Sequence, residues 1–129
     1  MTQAVLLDTH VALWAAAAPE RLGARQRALL EDPAVDVLLS TVSVVEIEVK
    51  RTIGKLEMSL TCDDLRRSID AEWLPLEATH AMALRSLPLR HRDPFDRMLI
   101  AQAITESLDL MTADRAMERY HEQGLRTIR

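Results

Sequence analysis

The sequence predicts an α/β fold built on a parallel sheet, and three observations carry that reading. Short β-friendly apolar runs alternate with longer segments of helical period. Chain breakers are scarce, with three glycines and five prolines among 129 residues. Hydrophobic residues make up 48% of the chain, which suits strands covered on both faces. At this length folding withdraws roughly two-thirds of the unfolded surface from water. One domain spanning residues 1–129 is therefore expected, with no staple needed.

In chain order, strands are expected at residues 4–7, 35–39, 73–76, 108–111 and 125–128, where apolar and β-branched side chains cluster. Helices are expected at residues 10–17, 23–31, 42–55, 62–72, 80–86, 94–106 and 113–122. Several have start and stop signals. Thr61 with Asp64, and Asp93 before Pro94, are N-cap patterns, and Gly124 stands where a helix would end before the last strand. Phe95, Met98 and Leu99, like Leu65 and Ile69, have the spacing of a core-facing helix stripe. Trp14 and Trp73 lie in apolar segments and read as packing residues.

Composition excludes several classes. Cys62 is the single cysteine, and His10, His80, His91 and His121 lack the paired spacing of a zinc module. A disulfide scaffold is thus out, and a reducing, cytoplasmic setting is expected. No apolar run approaches the roughly 20 residues of a membrane span, and no basic segment precedes an apolar signal core. Net charge is -4 and mixed in sign, so no basic tail advertises nucleic-acid binding. A nucleic-acid partner would require something to offset that acidity.

Four acids stand out by position. Asp8 follows the run Ala4-Val5-Leu6-Leu7, and Asp114 follows Leu110-Met111-Thr112-Ala113, which places both at the carboxyl ends of strands. Open parallel sheets bind ligands there, although an acid after a strand also suits a helix N-cap. Glu46 sits in Ser43-Val44-Val45-Glu46, a capping-box pattern, yet its apolar flanks point to a buried helix where a carboxylate needs a cation or hydrogen bonds. Glu48 is left to solvent. Asp96, three residues after Asp93, falls at N3 of the helix it opens, where the macrodipole favours an acid. From that turn it can meet Asp8, and two close carboxylates repel unless one is protonated or a hard cation such as Mg²⁺ or Mn²⁺ lies between them.

Four ordered blocks carry a family likeness. Leu6-Leu7-Asp8-Thr9-His10-Val11, Ser40-Thr41-Val42-Ser43-Val44-Val45-Glu46, His91-Arg92-Asp93-Pro94-Phe95-Asp96-Arg97 with the helix that follows, and Thr112-Ala113-Asp114-Arg115 resemble the PIN-domain ribonucleases, most nearly the VapC-type toxins of toxin-antitoxin pairs. The likeness spans essentially the whole chain, and the Arg-Asp-Pro-Phe-Asp-Arg block is its most specific part. It implies a three-layer α/β/α sandwich with a central parallel sheet of about five strands, gathering Asp8, Glu46, Asp96 and Asp114 into one pocket.

The likeness also implies chemistry. Mg²⁺ or Mn²⁺ held by Asp8 and Asp96, with Asp114, would activate water against an RNA phosphodiester, leaving a 5′-phosphate and a 3′-hydroxyl, while Glu46 orients the water or completes the acidic cage. Asp93 is an added candidate ligand beside its capping role. Thr9 and Thr112 match hydroxyl positions that orient an acid or stabilise a turn. Arg90, Arg92, Arg97 and Arg115 stand near the blocks as phosphate contacts or as solvated surface. A cognate antitoxin and a homodimer are implied, with alanines 15–18 as apolar surface and Val44, Ile47 and Ile53 facing either a core or a groove. Two other classes stay open: a PIN-like module that binds without cutting, and a phosphoryl-transfer domain using Asp8. The second lacks the Asp-x-Asp signature, because residue 10 is His.

Overall fold

The apolar runs pair edge to edge in parallel. β1 (Gln3–Leu7), β2 (Val35–Ser40), β3 (Glu72–Leu74), β4 (Asp109–Met111) and β5 (Arg126–Ile128) form one 5-stranded sheet in the order β3-β2-β1-β4-β5. These elements are those of a computed structural model, which describes residues 3–91 and 93–129.

Side chains alternate across β1. Leu6 joins a cluster with Leu99, Ile100, Leu110, Met117 and Tyr120, whereas Val5 and Leu7 join Val11, Leu39, Leu65, Met111 and Ile128 on the opposite face. All three β1 residues are fully buried, which is why a central parallel strand reads as an unbroken apolar run. Each such burial stabilises the fold by about 1.5–3 kcal/mol.

Helices cover both faces. α1 (Thr9–Ala17), α2 (Ala24–Glu31) and α4 (Cys62–Ser68) pack on the Val5 side; α5 (Ala78–Ala83), α6 (Pro94–Thr105) and a 3₁₀ segment (Arg115–Gln123) pack on the Leu6 side. α3 (Thr41–Thr52) contributes Val42 to one cluster and Ile47 to the other. The architecture is the three-layer α/β/α sandwich that the family resemblance implies. Among the described residues, no helix is long and apolar enough to cross a membrane.

Connectivity decides where a site can form. From β1 the chain steps outward through β2 to β3, then crosses back to β4 on the other side of β1. The strand order reverses between β1 and β4, and such a switch point opens a crevice at the carboxyl ends of the strands. Asp8 directly follows β1, and Thr112 and Asp114 follow β4.

Several boundaries differ from the sequence reading for local reasons. The helix from Cys62 ends at Ser68, because Asp70 takes a left-handed φ of 51° and turns the chain into β3, which begins at Glu72. The helix expected to reach residue 55 ends at Thr52, before Gly54 with φ 75°. The expected helix after β4 is a 3₁₀ segment capped by Asp114, and the segment ending at Ser86 is α5 followed by a 3₁₀ turn. Gly124, with φ 98°, closes the 3₁₀ segment before β5, as expected of a glycine stop. Trp73 is on edge strand β3 and 37% exposed, with Arg66 5.6 Å from its ring centroid, so it is not a core residue.

Candidate active site

Each motif acid is fixed by the start of a helix or by a neighbouring hydroxyl. Asp8 is the N-cap of α1: its Oδ1 accepts the Val11 N–H at 2.8 Å, while its Oδ2 accepts the Thr112 hydroxyl. Capping and site placement are thus the same geometry, because the cap residue sits at the mouth of the crevice. Asp93 caps α6 through the N–H groups of Phe95 and Asp96, which sets Asp96 in the first turn, within reach of the Asp8 charge. Asp114 caps the 3₁₀ segment through Ala116 N–H.

Glu46 is not held by a capping box. The N-cap of α3 is Ser40, whose Oγ accepts the Val42 N–H, and Ser43 lies within the helix. Glu46 therefore projects from the middle of α3 and is 2% exposed. Its Oε1 accepts the Thr9 hydroxyl at 2.7 Å and its Oε2 meets Lys50 Nζ at 2.5 Å. Thr9 Oγ1 also lies 2.9 Å from Ser43 Oγ. Since the single Thr9 proton goes to the carboxylate, Ser43 supplies the hydrogen of that second contact.

Three links join the acids. Thr112 donates to Asp8 and accepts the Asp114 N–H at 3.0 Å, tying the first acid to the last. His91 Nε2 stands 3.0 Å from Asp96 Oδ2 and 3.2 Å from Asp114 Oδ2, bridging those two. The charges of Glu46 and Asp8 act on Asp96. The Asp96 carboxyl is pushed to about 7, by burial first and Asp93 second, against the pull of His91. Burial also raises Asp8, and its hydrogen bonds from Thr112 and Val11 offset part of the effect.

The donor chemistry fits a divalent cation. His91, Asp96 and Asp114 offer ligand atoms within 4.8 Å of one another, and the Asp8 carboxylate borders the same opening as Asp114. Carboxylates so placed disfavour their own ionisation, and a hard cation with oxygen ligands relieves that cost.

The candidate phosphate contacts divide. Arg97 is committed to structure: its guanidinium donates to the carbonyls of Leu84, Leu87 and Pro88 and to the Tyr120 hydroxyl. Tyr120, fully buried, also accepts the N–H groups of Arg90 and His91, so the two residues anchor the loop that presents His91. Arg90 and Arg115 are exposed, and Arg92 lies outside the described residues.

Sequence reasoning did not assign roles to Lys50, His91 and Tyr120. Lys50 was legible as the i+4 partner of Glu46 on a helix. The His91 contacts arise from residues 5 and 23 positions away, brought together only by the fold. A groove of about 550 Å³ adjoins the acids, running from Thr9, Glu46 and Lys50 past Trp14 and Arg21 to Lys55 and Leu56.

Comparison with known proteins agrees with this architecture. The model of the PIN domain family matches residues 5–123. No curated protein matches the chain by sequence. Among solved structures, the DNA-bound VapBC of Salmonella typhimurium superposes with a TM-score of 0.67 at 20% identity, covering 99% of this chain and 98% of that one. VapBC2 of Rickettsia felis, bound to a DNA fragment from its promoter, gives 0.66 at 14% identity with 98% of each chain covered. FitAcB of Neisseria gonorrhoeae gives 0.62 at 20% identity, covering 97% of this chain and 96% of that one.

Proposed function

The chain belongs to the PIN domain family, and from that premise we propose that it is a metal-dependent endoribonuclease, a VapC-type toxin held in check by a cognate antitoxin. The observation that carries the reading is that Thr112 links Asp8 to Asp114 and His91 links Asp114 to Asp96, while the charges of Glu46 and Asp8 act on Asp96. Such a concentration of carboxylate is costly to a fold that makes no use of it.

Asp8, Asp96 and Asp114 would hold Mg²⁺ or Mn²⁺, with Asp93 and His91 beside them. The cation, when bound, supplies Lewis acidity that activates water and charge that neutralises phosphate oxygens. The chain's own residues do the rest. Thr112 and the Val11 N–H orient Asp8 and hold its carboxylate against burial. His91 spaces Asp96 from Asp114. Thr9 and Lys50 fix both oxygens of Glu46, which thereby completes the negative wall of the site without swinging into it. The RNA phosphate enters from the groove side, where Lys50, Lys55 and Arg21 stand.

VapBC neighbours were solved as toxin-antitoxin pairs, and a VapB-like segment covering the groove and the acids is the partner we infer here. A homodimer has a surface to use, exposed Val45 and Val49 on α3 with Ile53 just after its end. A cytoplasmic setting and one working unit of residues 1–129 complete the reading.

The test uses chain freed of antitoxin, incubated with end-labelled RNA in Mg²⁺, Mn²⁺ or chelator, beside folded Asp8→Asn and Asp96→Asn proteins. Metal-dependent products bearing 5′-phosphates, absent with both variants, are expected. Folded, metal-loaded protein that cuts no RNA would instead mark a binding module, and equal cutting by the variants would place the site elsewhere.

A further inference from the structure

Lys50 is the counter-ion of the buried Glu46, a contact that uses only part of its ammonium. Its ammonium stands at the junction of the buried acids and the groove, 34% exposed, with Glu46 as its sole hydrogen-bond partner among the described residues. An ammonium has three donors, so two remain for something in the groove. The same groove continues past Lys55 and Arg21, and it is lined by those cations and by one carboxylate besides Glu46, that of Glu57. Three cations against two carboxylates leave the groove one net positive charge on largely apolar walls, in a chain whose net charge is -4. Asp93 and Asp96 lie near enough to act on Lys50 electrostatically, so the ammonium faces the acid cluster as well as the groove.

We propose that Lys50, tethered by Glu46, is a substrate-binding residue that contacts a non-bridging phosphate oxygen of single-stranded RNA as the strand passes from the groove into the acid site. The proposal rests on the nuclease reading and gives Glu46 a second task. Glu46 becomes a positioning residue, since it fixes the Cα-to-ammonium reach of a side chain that otherwise samples many rotamers. Thr9 and Ser43 hold Glu46 in turn, so the phosphate contact is built back to the first turn of α1.

The experiment measures binding of fluorescein-labelled single-stranded RNA by anisotropy in Ca²⁺ across a salt series, and steady-state cleavage in Mn²⁺. Lys50→Met should lower the magnitude of the slope of log K against log salt by about 0.7, the loss of one phosphate contact, and Lys50→Arg should restore it. In cleavage, KM should rise roughly tenfold for Lys50→Met, with kcat changed far less. Removing Lys50 alone leaves Glu46 buried without its cation, so the paired variant Glu46→Gln with Lys50→Met is measured too. It keeps the net charge of the wild-type pair, and the slope loss should persist in it. A wild-type slope in either Met protein, or a loss confined to kcat or thermal stability, would overturn the proposal and leave Lys50 a counter-ion to Glu46. Wild-type protein that neither binds nor cuts RNA would overturn the nuclease reading itself, a result separable from the first because it appears before any variant is made.

Discussion

The Thr112 hydroxyl donates to Asp8 Oδ2 at 2.5 Å across the β1–β4 boundary, joining residues 104 apart in sequence. Thr112 is fully buried, and its oxygen also accepts the Asp114 N–H. Thr112→Val keeps the shape and removes both interactions, leaving a buried carboxylate short of a donor. Unfolding free energy should fall by about 1–3 kcal/mol in urea titrations at neutral pH. Thr112→Ser should recover most of that loss, and a Val variant as stable as the wild type would show that the bond holds nothing.

The acid cluster should make the metal-free protein less stable as pH rises. The ordinary value for Asp96 is 3.8 and in the fold it lies at about 7, so the charged form is the one the fold disfavours. Stability from this group is complete below its unfolded value and is lost as pH rises through the folded one; Asp8 shifts in the same direction. Thermal melts in chelator should therefore show Asp96→Asn gaining on the wild type as pH rises from about 4 to about 7, the span between the unfolded and folded values, and levelling above it. A constant difference across that range would mean that Asp96 titrates as a solvated acid.

Much of this site was legible before any fold was known, and the reason is position. Asp8 and Asp114 follow apolar runs, so a strand assignment alone carried them to the sheet's carboxyl edge, and Asp93-Pro94 fixed the start of α6 and with it Asp96. What sequence left hidden depends on contacts between distant segments. The cap of α3 belongs to Ser40 rather than Ser43, because β2 runs one residue further than its apolar stretch; the capping-box reading of Glu46 fails, while the burial that its apolar flanks predict holds. Arg97, near the motif blocks, reads from sequence as a phosphate contact or as solvated surface. Its real partners are carbonyls of the 84–88 turn, which no helical period announces.

Divalent cations should reverse the pH trend. A ligand that binds only the folded state adds about 2.7 kcal/mol at a free concentration one hundred times its Kd. Because the cation needs Asp96 ionised, the gain from Mn²⁺ or Mg²⁺ should be larger at pH 8 than at pH 5. Asp8→Asn and Asp114→Asn should each lose most of the thermal shift. If either keeps the full shift, that acid stands outside the metal site.

Arg97→Lys separates a structural arginine from a charge. The guanidinium spends its donors on the carbonyls of Leu84, Leu87 and Pro88 and on the Tyr120 hydroxyl, a fan that a single ammonium cannot reproduce. Leaving several partly buried acceptors unpaired should cost about 2–4 kcal/mol, and Lys should recover little of it although the charge is kept. The loss also reaches the site, because Tyr120 holds the backbone that presents His91 to Asp96 and Asp114. Divalent affinity measured by calorimetry should weaken in Arg97→Lys at temperatures where the variant remains folded. RNA salt dependence should stay as in the wild type, since no phosphate contact is removed. A changed salt slope with unchanged stability would return Arg97 to the RNA-binding surface.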